Sequence, residues 1–170
     1  IQRDHNLREK GGGGGTMRVL IANVLAETGI SDLRADGFDV IYRPEITQES
    51  LADAVTQASA EVLVVRGAVV NRKVLESGSL RLVVVAGVGY YNYVDLHVAS
   101  ARGVYVANCP GMNAAAVAEL AFGLMLALDR RIPENVADLR RRQWNRGAYI
   151  RARGLYGRTL GLVGLGHIGR

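Results

Sequence analysis

A glycine-rich hexapeptide, Gly164-Leu165-Gly166-His167-Ile168-Gly169, has the spacing of a turn that binds phosphate groups. It follows an apolar run, residues 160–163, that we predict as a strand. In such a turn the first glycine allows the tight bend, the second lets a pyrophosphate approach the backbone, and the third packs a helix against the strand. The pattern therefore predicts a dinucleotide site. The acidic residue that separates NAD from NADP would stand about 20 positions later, after Arg170, so both remain candidates.

Two short segments at the ends of other predicted strands are candidates for anion binding. The glycines of Ala86-Gly87-Val88-Gly89 expose backbone N–H groups, which can hold a carboxylate. Arg66-Gly67 ends the preceding strand, and its guanidinium can grip a carboxylate or a phosphate. Each segment has an equally weighted alternative, which is a plain strand-to-helix turn for the glycines and a solvated side chain for Arg66.

The remaining chemistry-bearing side chains do not assemble into a catalytic set. The three histidines are dispersed, one of them within the glycine turn. A single cysteine, Cys109, excludes an internal disulfide and argues against a cysteine-based metal site, so we expect no metal. Nine arginines lie between residues 130 and 158, most of them expected to be solvated or at an interface. Among them Arg146, close after Trp144, is the one that we select as a candidate binding residue.

The composition is that of a globular chain, with 49% apolar and 22% charged residues over 170 positions. It excludes a disordered or collagen-like main body. No apolar run reaches about 18 residues, so we expect no membrane partner. The net charge of +5 comes almost entirely from arginine, a bias that we attribute to genome base composition, and we expect no nucleic-acid partner. The lone cysteine and the lack of a visible signal peptide favour the cytoplasm.

Both ends of the chain are unlike those of a whole protein. Residues 1–16 are polar and contain five consecutive glycines before Met17, so we expect a disordered, non-native leader. Upstream sequence read as protein explains that leader better than an engineered linker. The chain stops at Arg170 within a turn that should open a helix, and we therefore interpret residues 1–170 as a fragment of a longer protein.

Short apolar strands alternate with helices over residues 17–107. This alternation predicts an α/β fold with a doubly wound parallel sheet, whose ligands bind at the carboxyl ends of the strands. After Asn108 two helices and one strand form a hinge-like bridge into a second domain. The predicted strands are residues 17–24, 38–42, 61–65, 80–86, 104–107 and 159–163. The predicted helices are residues 30–35, one opening at 47–50, one capped by Asn71, and residues 94–102, 113–131 and 133–142.

Taken together, these segments resemble the D-isomer-specific 2-hydroxyacid dehydrogenase family over residues 17–170. The segments that carry the resemblance, in matching order and spacing, are Val65-Arg66-Gly67, Ala86 to Gly89 with Asn92, Asn108-Cys109-Pro110-Gly111, Val117-Ala118-Glu119, Leu155 to Leu160, and the glycine turn. The resemblance implies a flavodoxin-like substrate lobe, residues 17–108. It also implies that residues 109–170 hold interdomain helices and the truncated start of a Rossmann NAD-binding domain.

The family also implies roles for individual residues. Backbone N–H groups of Val88 and Gly89 would hold the substrate carboxylate, and Arg146 would contact a substrate phosphate. Val117 would lie near the nicotinamide, and the helix over residues 113–130 would contribute to a homodimer or higher oligomer. The implied substrate-binding set is Arg66, Gly67, Val88, Gly89, Asn92 and Arg146, and the implied cofactor-binding set is Val117, Gly164, Gly166, His167, Ile168 and Gly169.

The implied reaction is NAD-dependent interconversion of a small 2-hydroxy acid and its 2-keto acid, most similar to members that oxidise 3-phosphoglycerate in serine biosynthesis. The catalytic Arg, Glu and His of the family would lie beyond Arg170, so we expect this chain alone to be inactive. The chain departs from the phosphoglycerate-type pattern at Val85, at Ala68 and in the segment Tyr90-Tyr91-Asn92-Tyr93. These departures leave the identity of the substrate open more than the membership of the family. A non-catalytic, NAD-responsive co-regulator of the same fold is the alternative function. A designed or stand-alone lobe explains residues 113–170 less well.

Overall fold

A computed structural model describes residues 16–170, and the predicted leader therefore lies almost wholly outside the described residues. Within the described range, one compact unit ends at Cys109 and a second begins at Pro110. No helix in this range is long and apolar enough to cross a membrane.

The first unit is built on a five-stranded parallel sheet, which confirms the predicted doubly wound α/β fold. The strand order β2-β1-β3-β4-β5 is the flavodoxin-like order. Strand β2 lies on one side of β1, and β3, β4 and β5 follow on the other side. The strand order therefore reverses between β1 and β3, and ligands of such sheets bind beside the carboxyl ends of the strands at this point. The strands are β1 (Arg18–Ile21), β2 (Asp39–Tyr42), β3 (Val62–Val65), β4 (Leu82–Val85) and β5 (Tyr105–Asn108).

Helices cover both faces of this sheet because the strands are apolar on both sides. Alternate residues of β3 enter different clusters: Leu63 packs on one face and Val64 on the other. The helices of the first unit are α1 (Glu27–Ala35), α2 (Leu51–Ala58), α3 (Arg72–Glu76) and α4 (Leu96–Ala101). The α1 residue Ile30 packs on the face that holds Val64, whereas buried residues of the other three helices pack with Leu63. The central strand β3 thus buries both of its faces, as is typical of parallel strands that are covered by helices.

Side-chain caps set the start of two of these helices. The Oδ1 atom of Asn71 accepts a hydrogen bond from the N–H of Val74 (3.2 Å), which confirms the predicted cap of α3. Asp95 accepts from Val98 in the same way (3.1 Å). The helix predicted over residues 94–102 therefore begins only at Leu96, after its cap.

Replacing Asn71 by Ala is expected to lower the free energy of unfolding by about 1 kcal/mol, since the N–H of Val74 loses its partner. The shift of the midpoint in urea-induced unfolding measures it. A variant that unfolds at the same urea concentration as the wild type would contradict this role of the cap.

The second unit is helical, with α5 (Ala114–Arg130), α6 (Ile132–Arg140) and α7 (Arg146–Tyr149). Arg131 separates α5 from α6 in a left-handed conformation (φ 51°), which reverses the chain. The strand predicted over residues 159–163 is not formed, and no residue from 110 to 170 is in a strand. A strand exists only through hydrogen bonds to a neighbouring strand, which this unit does not supply, and Val163 is fully exposed.

Candidate functional site

The carboxyl ends of β3 and β4 bring two of the predicted segments together. Val65 of β3 pairs with Val85 of β4, and the N–H of Ala86 still donates to the carbonyl of Val65 (2.8 Å). The segments that follow, Arg66-Gly67 and Gly87 to Gly89, therefore leave neighbouring strands, which lie about 4.8 Å apart. Both segments lie at the carboxyl ends of the parallel strands, where α/β proteins bind ligands.

The loop that follows β4 presents two free amide donors. The carbonyl of Gly87 accepts from the N–H of Cys109 (2.9 Å), and the carbonyl of Val88 accepts from Asn108 Nδ2 (2.8 Å) and from the N–H of Tyr90 (3.1 Å). No hydrogen-bond partner for the N–H groups of Val88 and Gly89 occurs among residues 16–170. Two successive unpaired amides are a candidate site for an anion.

Arg66 is the residue that follows β3, the strand next to the one that leads into these amides. Its backbone N–H donates to Asn23 Oδ1 (2.7 Å), which ties the end of β3 to the residues that follow β1. Within the described part of the chain its exposed guanidinium has neither an ion pair nor a hydrogen bond. Gly67 then turns the chain with a φ of 88°, a backbone conformation that residues other than glycine rarely adopt. The guanidinium is thus available to a ligand anion.

The loop after β3 is held by contacts that the sequence did not reveal. Gln48 forms a reciprocal pair with Val69, accepting from its N–H and donating to its carbonyl, both at 2.7 Å. Val70 bridges to the segment after β4, because its N–H donates to the carbonyl of Tyr93 (2.6 Å) and its carbonyl accepts from Asp95 (3.1 Å). Asn92 ends the short helical turn Tyr90–Asn92 that precedes this bridge, and its side chain is exposed.

Three side-chain amides therefore position the candidate site without having been predicted for it: Asn23, Gln48 and Asn108. Asn23 and Asn108 have a signal in the sequence, because a side chain that can hydrogen-bond to backbone comes at or just after the end of a buried strand. Their partners depend on which strands are neighbours, and that information is not local to the sequence.

The other predicted residues lie in the second unit. Arg146 opens α7 and is exposed, with no ion pair or hydrogen bond to its guanidinium within residues 16–170. The far end of α7 is fixed by Tyr149, whose hydroxyl donates to Asp138 Oδ2 (2.6 Å). That hydrogen bond raises the pKa of Tyr149, and the guanidinium of Arg131 lies 5.2 Å from the centre of its ring. Val117 lies in the first turn of α5 and is exposed.

The glycine turn is closed on itself rather than opening a helix. Gly164 has a φ of 100°, and a Cβ on Gly169 would stand 2.5 Å from the carbonyl oxygen of Gly164, so only glycine fits there. His167 packs against Gly111 and contacts Arg170 through Nδ1 (3.2 Å). Ile168 is exposed, and a Cβ on Gly166 would meet no atom within 4 Å. No helix is formed over residues 164–170.

Comparison with known proteins agrees with the resemblance found in the sequence. The family model "D-isomer specific 2-hydroxyacid dehydrogenase, catalytic domain" matches residues 19–158. D-3-phosphoglycerate dehydrogenase of Methanocaldococcus jannaschii is 39% identical over 156 residues, covering 91% of this chain and 29% of that protein. Hydroxypyruvate reductase of Thermotoga maritima is 42% identical over 112 residues, covering 65% of this chain and 36% of that protein.

Among solved structures, a putative D-isomer specific 2-hydroxyacid dehydrogenase, NAD-binding, from Polaromonas sp. JS6 66 superposes with a TM-score of 0.77 at 26% identity. The match covers 91% of this chain and 50% of that one. The chain spans under a third of the length of the D-3-phosphoglycerate dehydrogenases of Methanocaldococcus jannaschii and Bacillus subtilis. By the extent of these matches, the chain belongs to the D-isomer specific 2-hydroxyacid dehydrogenase family.

Proposed function

We propose that this chain supplies the substrate-carboxylate site of an NAD-dependent 2-hydroxyacid dehydrogenase. Residues 17–108 form its substrate lobe, and residues 109–170 form interdomain helices and the start of the NAD-binding domain. The observation that carries the proposal is the pair of free N–H groups at Val88 and Gly89, together with the unpaired Arg66 at the end of the neighbouring strand. The proposed compartment is the cytoplasm.

In this mechanism the two amides hold the carboxylate of the 2-hydroxy acid. The guanidinium of Arg66 adds a charge-assisted hydrogen bond to the same end of the substrate, and Gly67 and Asn92 line the adjoining loops. Holding the carboxylate fixes the orientation of C2, the carbon that is oxidised, which is the usual contribution of a binding site to rate. We propose that the groups which accept the hydroxyl proton and polarise the keto oxygen are not among residues 17–170, and that this chain alone does not transfer hydride.

The glycine turn fits a pyrophosphate in its residue types. A Cβ at Gly164 or Gly166 would meet no atom within 4 Å, so the space beside both glycines is open. A Cβ at Gly169 would clash with the carbonyl oxygen of Gly164. We assign Gly164, Gly166, His167, Ile168 and Gly169 to the cofactor, together with Val117. NAD held by these residues would supply the hydride acceptor for C2. NADP is the alternative, since solved relatives include NADPH-dependent reductases.

For the whole enzyme we propose oxidation of 3-phosphoglycerate to 3-phosphohydroxypyruvate, in serine biosynthesis. The support is the name D-3-phosphoglycerate dehydrogenase among relatives of 34–40% identity, together with the unpaired Arg146, which we assign to the substrate phosphate. A homo-oligomer through α5 is part of the same proposal, because that helix presents a row of exposed leucines.

Calorimetric titration of the chain with glycolate and with 3-phosphoglycerate tests these assignments. Replacing Arg66 by Gln is expected to weaken both ligands about tenfold, since each loses one charge-assisted contact. Replacing Arg146 by Gln is expected to weaken 3-phosphoglycerate by a similar factor and to leave glycolate unchanged. Arg153→Gln, an exposed arginine of the same unit, is the matched control.

Equal weakening of both ligands by Arg146→Gln would contradict its assignment to the phosphate. Binding of NAD without any binding of glycolate would instead favour the co-regulator alternative, which needs no carboxylate site.

A further inference from the structure

The end of β5 makes contact with both peptide units that carry the free amides. The unit between residues 87 and 88 has its carbonyl on Gly87, which accepts from the N–H of Cys109 (2.9 Å). The next unit has its carbonyl on Val88, which accepts from Asn108 Nδ2 (2.8 Å) and from the N–H of Tyr90 in the same loop (3.1 Å). The structure contains no cis peptide bond among residues 16–170, so each N–H points away from the carbonyl of its own unit.

Such contacts have two effects on the free N–H groups. They fix the rotation of each peptide plane, and they polarise it, because a carbonyl that accepts a hydrogen bond makes the N–H of the same amide a stronger donor. The contact from Cys109 is between main-chain atoms and follows from the pairing of β4 with β5. The contact from Asn108 is made by a side chain, so a substitution at position 108 can remove it.

We infer that Asn108 is a positioning residue for the substrate carboxylate. It does not touch the substrate; its amide holds the carbonyl of Val88, so that the N–H of Gly89 faces the ligand. The inference rests on the proposed function of this loop. It also fixes the chemistry required at position 108, which is a hydrogen-bond donor, because the atom that it meets is a carbonyl oxygen.

Titration of the ¹⁵N-labelled chain with glycolate, followed through the amide resonances of Val88 and Gly89, tests the inference. Asn108→Ala is expected to weaken glycolate binding about tenfold. It is also expected to reduce the glycolate-induced shift of Gly89 much more than that of Val88. The peptide plane of Val88 is still held from β5 through Cys109, whereas that of Gly89 keeps only the contact from Tyr90 within its own loop. A general loss of stability would not distinguish these two neighbouring amides.

Two further variants complete the design. Asn108→Asp keeps the shape of the side chain but offers only acceptor oxygens at neutral pH, so it is expected to lose binding at least as strongly as Asn108→Ala. It also decides the question if Asn108→Ala fails to fold. Asn71→Ala removes an asparagine hydrogen bond at the cap of α3, and it is expected to bind glycolate as the wild type does.

Wild-type glycolate affinity and a full Gly89 shift in the Asn108 variants would overturn the inference and leave the carboxylate site standing. No glycolate-induced shift at Val88 and Gly89 in the wild-type chain would overturn both this inference and the proposed function.

Discussion

Replacing Gly89 by proline is expected to weaken glycolate binding about tenfold or more, whereas replacing it by alanine leaves the affinity within about a factor of two. Proline removes the N–H that we assign to the carboxylate, and a hydrogen bond to a charged group contributes about 1.5–3 kcal/mol. Calorimetric titration of both variants and the wild type gives the three dissociation constants.

The backbone at this position makes the comparison clean. Gly89 has a φ of −87°, which alanine adopts freely and which is close to the proline value of about −65°. A Cβ there would meet no atom within 4 Å, so alanine causes no clash. Equal affinities of the proline and alanine variants would show that the N–H of Gly89 does not hold the carboxylate.

Self-association through α5 is the second large effect that we expect. Leucines at four-residue spacing lie on one stripe of this helix, and a contiguous exposed apolar surface drives association. They are strongly exposed in the structure: Leu120 (61%), Leu124 (55%) and Leu128 (78%). Sedimentation at micromolar concentration is therefore expected to show a dimer or a larger species.

Leu124→Glu is expected to weaken that association about 10- to 100-fold. It places a charge where the proposed interface would bury a leucine, and burial of a leucine contributes about 1.5–3 kcal/mol. The matched control is Leu96→Glu, an exposed leucine of α4 in the first unit. A monodisperse monomer of the wild-type chain under the same conditions would contradict the proposed role of α5.

Local patterns in the sequence predicted the sheet of the first unit well. Runs such as Val62–Val65 are apolar at every position, as expected of a strand that is buried on both faces. The predicted ends of the five strands differ from the observed ends by at most three residues. The start of helix α4 was predicted two residues too early, because Asp95 is its cap and the helix begins only at Leu96. The alternation of strands and helices gave the fold class, whereas the flavodoxin-like strand order came from the family resemblance.

The features that the sequence did not predict correctly depend on residues that are distant in the sequence and neighbours only in the fold. The apolar run at residues 159–163 has the composition of a strand, but no strand of the second unit lies beside it to complete its hydrogen bonds. Asn108 was recognised only as part of a family motif, because its contact with Val88 appears only when β4 and β5 are paired. For the same reason the reciprocal pair of Gln48 and Val69 could not be read from either segment alone.

The most direct test of the carboxylate site is the amide spectrum of the ¹⁵N-labelled wild-type chain during titration with glycolate. The account predicts saturable shifts of the Val88 and Gly89 resonances with one common dissociation constant, and no shift at Gly37, a turn glycine between α1 and β2. Chloride at the same ionic strength should not reproduce them. Unchanged Val88 and Gly89 resonances at saturating glycolate would contradict the assignment of this loop to the substrate.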